Sequence, residues 1–288
     1  MNYRALIENR KSVREFADKQ VSEDVLESIV DYFQKSCKCL DPQLKTELYI
    51  VSDESGRALE GAAGYNSFLI GAPQYLVLLS ENGQRAPENA GFMMEDLLLK
   101  LAEENLDSCW MTFTDSEAVK RALELDSRLD VMAVAAFGYG VKAKKRIHLN
   151  ILSMSNVDII AKRRFFEPKR GIRDMVFLQE WGNTRNVEEH IGFYDDMLWE
   201  AFYAASKSPS YLNRQAYDFV IHEGKITLVA RPDAYTTELD GRLSLGVVLL
   251  HFSAVAEQWA GKVQWSFDQK AASLPLPDGF RVVATWEM

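Results

Sequence analysis

The sequence predicts an α+β fold made of two related halves, residues 1–150 and 165–288. Apolar runs typical of buried strands alternate along the chain with helical stripes, in which apolar residues recur every three or four positions. The same register also occurs twice, because Gly91 precedes Trp110 by the interval that separates Gly246 from Trp265. A register repeated over several elements in the same order indicates a duplicated unit.

The first half is predicted to contain three helices and four strands. Helical stripes lie over residues 22–33, 91–105 and 119–125. Ser22 stands at the position of an N-terminal cap, and the acidic residues after it suit the positive end of a helix dipole. Apolar runs of buried-strand type lie over residues 48–51, 75–79, 110–113 and 131–137.

The second half is predicted to repeat this mixture of helices and strands. The expected elements are helices over residues 194–205 and 247–258, a hairpin of residues 218–222 and 225–230, and strands over residues 263–267 and 280–286. Pro209 ends the first of these helices, because proline cannot continue one. Glu223-Gly224 provides the two-residue turn of the hairpin. Residues 149–164 are expected to be a connection between the halves.

Composition and charge exclude several classes of protein. The chain has 288 residues, of which 47% are hydrophobic, so a substantial core is possible. Its 42 acidic residues exceed its 33 basic residues and give a net charge of -9. An acidic chain is a poor candidate for binding nucleic acid through the phosphate backbone. No apolar run is long enough to predict a membrane span, and the charged N-terminus is unlike a signal peptide.

The cysteines and histidines predict neither disulfides nor a metal site. Cys37, Cys39 and Cys109 are too few for a disulfide framework and lack the spacing of zinc ligands. The four histidines are scattered, with no pair at helical spacing. These observations favour a reducing cytoplasm as the location of the protein.

A basic cluster near the N-terminus is the first candidate for binding chemistry. It consists of Arg10, Lys11, Ser12 and Arg14. Guanidinium groups offer fork-shaped donors that match a phosphate, and the lysine and the hydroxyl add further donors. Such a run is often only a solvated turn. An apolar helix follows closely and pins this segment to a core, which favours a binding site.

The second candidate is the polar segment that ends the predicted helix of residues 194–205. Ser208, Pro209 and Ser210 break the helix, while Asn213 and Gln215 carry paired donors and acceptors. This combination suits the edge of a flat heterocycle with alternating carbonyl groups and ring nitrogens. A helix stop followed by an ordinary polar turn is the alternative interpretation.

A third candidate combines residues 106–110, which lead into one predicted strand, with the end of another. Gly138 and Gly140 follow the strand of residues 131–137, and Lys145 and Arg146 come soon after them. Small residues let a ligand approach the backbone, and either basic side chain could reach a phosphate. The glycine spacing does not match a dinucleotide-binding fingerprint, so a Rossmann fold is not favoured. A turn followed by a charged loop also explains this segment.

Taken together, these segments resemble the FMN-dependent nitroreductase family. Residues 10–16 are similar to its phosphate-binding start, and residues 208–215 are similar to its Ala-Pro-Ser-x-x-Asn-x-Gln-Pro-Trp loop. That loop normally lies in the first third of the chain, whereas here it lies in the second half. The displaced order resembles a subgroup in which two family units are fused into one chain. The resemblance therefore implies a nitroreductase-like fold arranged as an intramolecular pseudo-dimer, acting as a monomer.

The resemblance also implies roles for the candidate residues around FMN. Arg10 and Ser12, next to Lys11, would hold the phosphate with help from Lys145 or Arg146. Arg14 would lie near the N1 and O2 edge of the flavin and tune its charge. The remaining candidates would cover or hydrogen-bond the ring; they are Ser208, Pro209, Ser210 and Asn213 from the second half, and Asn66 as a weaker candidate for the pyrimidine edge.

The implied activity is FMN-dependent reduction with NAD(P)H as electron donor and a nitroaromatic, a quinone or a similar small molecule as acceptor. No catalytic side chain is required, because the flavin carries the chemistry. Gln215-Ala216-Tyr217 departs from the Gln-Pro-Trp ending of the family loop. This departure leaves open a flavin-binding or degenerate ligand-binding protein without turnover. Residues 34–42 contain no second copy of the loop, so one flavin per chain is expected.

Overall fold

The computed structural model describes residues 1–52, 54, 57–64, 68–141, 146–153, 156–162, 168–185, 187, 196–268 and 274–288. The elements up to residue 138 are α1 (Tyr3–Asn9), α2 (Glu23–Lys35), β1 (Thr46–Ser52), β2 (Ala63–Gly64), β3 (Gln74–Ser80), α3 (Ala86–Glu103), β4 (Asp107–Phe113), α4 (Ser116–Ala122) and β5 (Asp130–Gly138). The later elements are β6 (Arg146–Ser153), β7 (Asn156–Lys162), β8 (Val176–Leu178), α5 (Asp196–Ser206), β9 (Tyr217–His222), β10 (Lys225–Ala230), α6 (Glu238–Ala260) and β11 (Arg281–Glu287).

Two main sheets divide the chain. The first is five-stranded in the order β1-β3-β5-β4-β2, and all its pairs are antiparallel. The second is four-stranded in the order β11-β10-β9-β8, with β8 parallel to β9. A separate hairpin pairs β6 with β7. Each main sheet therefore draws its strands from one half of the chain.

The central helices α3 and α6 pack against each other and join the two cores. Phe92 and Leu99 of α3 are buried in the apolar cluster that covers the second sheet. Leu243 of α6 is buried in the cluster against the first sheet. Ile7 of α1 also lies in the cluster that covers the second sheet, although α1 begins the first half. The two halves therefore share their interiors and do not form separate globules.

Helix α6 is the one described helix that is long and apolar enough to cross a membrane by length and composition. Of its apolar window, 78% is buried inside the molecule. The helix packs against α3, α5 and α1. Its apolar character is thus explained by a position in the core.

Most predicted elements are confirmed, with shifted ends. The hairpin of β9 and β10 turns at Glu223-Gly224 as predicted, and both residues have positive φ. Helix α2 begins directly after Ser22, although the side chain of that serine makes no capping hydrogen bond. Helix α3 begins at Ala86 and not near Gly91, because Pro87 is compatible with a first helical turn.

Two predictions of local structure were wrong. Residues 149–164 are not a mere connection, since most of them form the hairpin of β6 and β7. The alternation of apolar and polar residues from Ile147 to Ile151 is the strand signal that was overlooked. Residues 263–267 do not form a strand, because only Ser266 bridges to Thr285. Trp265 instead turns toward α6 and donates to the Ser253 hydroxyl at 2.8 Å.

Candidate functional site

The N-terminal basic cluster lies where the first half meets the second. Arg10 caps the C-terminus of α1, which packs against α5 and α6. The chain then runs beside the first sheet, where Ser12 bridges to Ser108 and the Val13 amide donates to the Ser108 carbonyl at 3.0 Å. Val13 is buried. These contacts hold the cluster to the core, as expected from its position next to an apolar helix.

Arg10 is the buried member of the cluster. Its side chain is only 6% exposed, and its Nε lies 3.4 Å from Oε1 of Glu95. Nε and Nη2 are both buried and have no hydrogen-bond partner among the residues that the structure describes. Buried donors are normally satisfied, so these two atoms are candidates to bind an acceptor that is not part of the described chain.

Glu95 on α3 anchors this arrangement from inside the core. Its Oε2 accepts a hydrogen bond of 2.8 Å from the Trp110 indole, and its Oε1 lies 3.1 Å from Nε2 of His251 on α6. Burial alone would raise the pKa of Glu95, but Arg10, His251 and Trp110 hold that pKa below its usual range. The carboxylate therefore stays ionised and links the two central helices.

The segment after α5 approaches from the second half. Backbone hydrogen bonds end the helix at Lys207 and Ser208, and the Ser208 side chain is fully buried. Ser208 Oγ lies near the Tyr217 hydroxyl but makes no hydrogen bond of good geometry to the described chain. Ser210 Oγ accepts a hydrogen bond of 2.9 Å from the backbone amide of Gln215. The segment of residues 208–215 is thus folded back on itself, and the buried Ser208 hydroxyl has no hydrogen-bond partner of good geometry among the described residues.

The backbone of this segment is unusual. Leu212, Asn213 and Gln215 all have positive φ, at 47°, 56° and 44°. Asparagine tolerates this region, whereas leucine and glutamine adopt it at a cost. Such conformations persist only where the surroundings enforce them, and they are common in ligand-binding loops.

Gln215 does not offer its amide to a ligand. Its Oε1 accepts the Arg170 backbone amide at 2.8 Å, and its Nε2 donates to the Ser206 carbonyl and to the Tyr217 hydroxyl. The expectation that Gln215 meets a heterocycle is therefore wrong. The glutamine instead ties the loop to the segment before β8. Asn213 makes one contact of the same kind, from Nδ2 to the Pro168 carbonyl at 3.2 Å.

Lys169 is a site residue that the sequence analysis missed. Its Nζ donates to the Ser208 carbonyl at 2.9 Å. Burial, the positive charge of Arg10 and that of Lys207 lower its pKa to about 8, and Glu95 acts in the opposite direction. The only available signal was the basic pair of residues 169 and 170.

Arg170 is occupied by contacts within the second half. Its guanidinium donates to Oδ1 of Asp218 at 2.8 Å and to the carbonyls of Gln215 and Tyr217. These contacts hold the segment before β8 against β9. Arg170 therefore has a structural role.

Fewer contacts are described for the remaining predicted residues. Arg14 and Arg10 both act on the Cys109 thiol, where burial raises the pKa and the two arginines oppose the increase. Arg14 therefore lies on the same side of the molecule as Arg10. Lys11, Ser12 and Arg14 are exposed, while Pro209 and Ser210 are partly buried. Asn66 and Lys145 lie outside the described residues, and Arg146 begins β6 without a described side chain.

The corresponding segment of the first half, residues 36–42, follows α2 as residues 208–215 follow α5. Its backbone amides are bound to α3, because Lys38 donates to Asp96 Oδ2 at 2.8 Å, and Leu40 and Asp41 donate to Asn89 Oδ1. Asp96 also accepts the Tyr3 hydroxyl. This segment is thus occupied by contacts within the protein.

We call the place where Arg10 and Glu95 of the first half meet Lys169 and Ser208 of the second half the seam. The charges at the seam are suited to binding an anion. Arg10 and Lys169 supply two positive charges, whereas Glu95 supplies one negative charge. A buried excess of positive charge is costly unless an anion compensates it. The described residues contain no group of three or more side chains able to hold a metal ion. Two cations beside a single carboxylate form a donor set that fits a phosphate group.

The fold is similar to that of solved nitroreductases. A "putative nitroreductase" of Thermotoga maritima matches with a TM-score of 0.59 and 18% identity, over 99% of this chain and 93% of that one. The FMN-dependent nitroreductase of Clostridium difficile matches over 48% of this chain and 88% of its own, with 21% identity and a TM-score of 0.43. A nitroreductase family protein of Clostridium novyi gives 19% identity over 49% and 86%, with a TM-score of 0.43. The first match shows that this chain has the α+β nitroreductase fold.

A sequence profile extends this result from the fold to the family. The profile of the family described as "Putative TM nitroreductase" matches residues 2–256. No curated protein matches the chain. Because the profile covers most of the chain, the chain belongs to this nitroreductase family, whose members fall in the class of oxidoreductases. The resemblance noted in the sequence is confirmed.

Proposed function

We propose that the protein is an FMN-dependent oxidoreductase that uses NAD(P)H as its electron donor. The observation that carries this proposal is the pair of unsatisfied buried groups at the seam, the Arg10 guanidinium from one half and the Ser208 hydroxyl from the other. Lys169 relates the two groups, because its Nζ donates to the Ser208 carbonyl and the positive charge of Arg10 lowers its pKa. Membership of a nitroreductase family supports a flavin as the missing partner.

The chemistry that FMN supplies when bound is acceptance of a hydride from NAD(P)H and delivery of electrons to an acceptor such as a nitroaromatic or a quinone. The protein holds and tunes the cofactor. Arg10 binds the phosphate with Lys11 and Ser12, with Lys145 or Arg146 as further basic ligands. Arg14 places positive charge near the N1 and O2 edge of the ring, where it stabilises negative charge.

The second half supplies the cover of the ring. Ser208, Pro209 and Ser210 enclose it, and Asn213 lies at its edge, with Asn66 assigned to the pyrimidine side. The left-handed backbone at Leu212 and Asn213 supports this assignment, because it fixes the shape of the segment without a ligand. No acid, base or nucleophile of the protein is needed for the reaction.

Two measurements test the proposal. Freshly purified protein should show the absorbance of bound flavin, and it should oxidise NAD(P)H in the presence of an acceptor faster than free FMN does. A flavin-binding protein without turnover is the second candidate, which the altered Gln215-Ala216-Tyr217 sequence favours. Bound flavin without turnover across a panel of nitroaromatics and quinones would support that candidate. A protein that binds no flavin would contradict both.

A further inference from the structure

Residues 168–170 are attached along the loop of residues 208–215 by three hydrogen bonds. Lys169 Nζ donates to the Ser208 carbonyl, Asn213 Nδ2 donates to the Pro168 carbonyl, and the Arg170 amide donates to Gln215 Oε1. The position of Lys169 is therefore set by contacts on both sides of it. Because the loop belongs to the proposed flavin site, Lys169 is part of the wall of that site.

The electrostatic surroundings of Lys169 are mostly positive. Arg10 from the end of α1 and Lys207 from the end of α5 disfavour its charged form, and Glu95 on α3 favours it. The Glu95 carboxylate is already used by Trp110, His251 and Arg10. The one hydrogen bond described for the ammonium group goes to a neutral carbonyl. An ammonium group has three donors, so two remain for a further acceptor.

We infer that Lys169 is a ligand of the cofactor phosphate and shares that phosphate with Arg10. The inference rests on the proposed function, since it names a further residue of the same site. A phosphate dianion next to both cations removes the excess of positive charge at the seam. It also gives an anionic partner to the half-buried ammonium group, whose one described hydrogen bond goes to a carbonyl.

The shared phosphate predicts a dependence of binding on pH. The pKa of Lys169 is about 8 without a ligand, and an anion favours the charged form and so raises that pKa. Affinity for FMN should therefore be constant from pH 7 to about 8 and should fall by up to about tenfold per pH unit above it.

Lys169→Met tests the role of the charge, with Lys225→Met as the matched control. Lys225 begins β10 and pairs with Glu287 at 3.3 Å, and it is not among the charges that act on Lys169. Dissociation constants for FMN and for riboflavin, which lacks the phosphate, are measured by flavin fluorescence from pH 7 to 9. We expect Lys169→Met to weaken FMN binding by about tenfold or more and to remove the pH dependence. Riboflavin binding and the control should change by less than about twofold.

Lys169→Arg provides the second variant. An arginine keeps its charge at pH 9, so FMN binding should be retained and the fall above pH 8 should disappear. Unchanged FMN affinity in Lys169→Met would overturn the inference. An equal loss for FMN and riboflavin would overturn the assignment to the phosphate.

Inorganic phosphate separates a failure of this inference from a failure of the proposed function. Thermal stabilisation by phosphate requires no flavin, and it should be present in the wild-type protein and markedly smaller in Lys169→Met. A wild-type protein that is stabilised by phosphate but binds no FMN would refute the proposed function and keep the anion site. A wild-type protein that binds FMN, with a variant that responds to phosphate as the wild type does, would refute the role of Lys169 alone.

Discussion

Gly91 and Gly246 meet the opposite central helix at equivalent points. A methyl group on Gly91 would lie 2.1 Å from the Leu243 carbonyl oxygen, and one on Gly246 would lie 1.9 Å from the Glu88 carbonyl oxygen. Each glycine thus contacts the residue three positions before the other glycine. Such reciprocal contacts are typical of a two-fold interface. The equal spacing seen in the sequence therefore has a local counterpart, in which α3 and α6 approach each other closely at their two glycines.

Gly91→Ala should destabilise the protein. The added methyl group would overlap the backbone of α6, and overpacking of this kind typically costs about 1–3 kcal/mol of unfolding free energy. Gly71→Ala is the matched control, because no atom lies within 4 Å of the position of its methyl group. Urea unfolding of both variants gives the comparison. Equal stability of the two variants would show that the helices do not approach as closely as described.

Arg10→Ala should weaken FMN binding by about tenfold or more, because a charge-assisted bond to phosphate is lost. Arg4→Ala is the control from the same helix. Arg4 is 56% exposed and pairs with Glu200 at 2.8 Å, so its removal should leave the affinity within about twofold. Flavin fluorescence titration measures both. Unchanged affinity in Arg10→Ala would remove this residue from the site.

Ser208→Ala should affect the ligand-free protein and the cofactor complex in opposite directions. The hydroxyl is buried without a satisfactory partner among the described residues, so its removal should leave the stability of the ligand-free protein unchanged or increase it by about 1 kcal/mol. FMN affinity should fall, because the hydroxyl is available to the ligand. Thermal unfolding and FMN titration are compared on the same preparation. A large loss of stability without flavin would indicate that the hydroxyl has a structural partner.

Glu95→Gln should be strongly destabilising. The substitution removes the anion from a buried network and leaves Arg10 without its charge partner, and breaking a buried pair costs about 3–5 kcal/mol. Glu103→Gln lies on the same helix and breaks a surface pair with Lys100, so it should cost at most about 1 kcal/mol. Urea unfolding at pH 7 distinguishes them. Similar losses would argue against a special role for the buried carboxylate.

The chain should bind one FMN and should not need to dimerise to do so. The proposed site uses one pair of half-sites, residues 10–14 and 208–213. The counterpart of the loop, residues 36–42, is bound to Asp96 and Asn89 of α3 and has no pattern of the same kind. Extracted flavin is measured against protein, with the mass from light scattering. Two flavins per chain, or flavin found only in a dimer fraction, would contradict the pairing of half-sites.

The types of most elements could be predicted from the sequence, because they depend on local periodicity. The hairpin at Glu223-Gly224 and the end of α5 before Pro209 follow from turn chemistry within a few residues. The prediction of a strand over residues 263–267 was wrong because a contact distant in sequence decides the conformation of this segment. Its apolar residues suit a strand, but the contact of Trp265 with Ser253 draws them toward a helix. Tertiary packing then overrides local preference.

What the sequence by itself determined is the alternation of elements, the repeated register and the two motifs that carry the family resemblance. What only the tertiary structure decided is which charged residues meet at the seam. Glu95 and His251 are 156 positions apart, and nothing local to either residue indicates the contact. Lys169 was visible as a basic residue, but its burial against Ser208 depends on how the segment before β8 is attached to the second half. Periodicity reports the neighbours of a residue along the chain, whereas its charge state and its use depend on neighbours that only the packing of the two halves brings together.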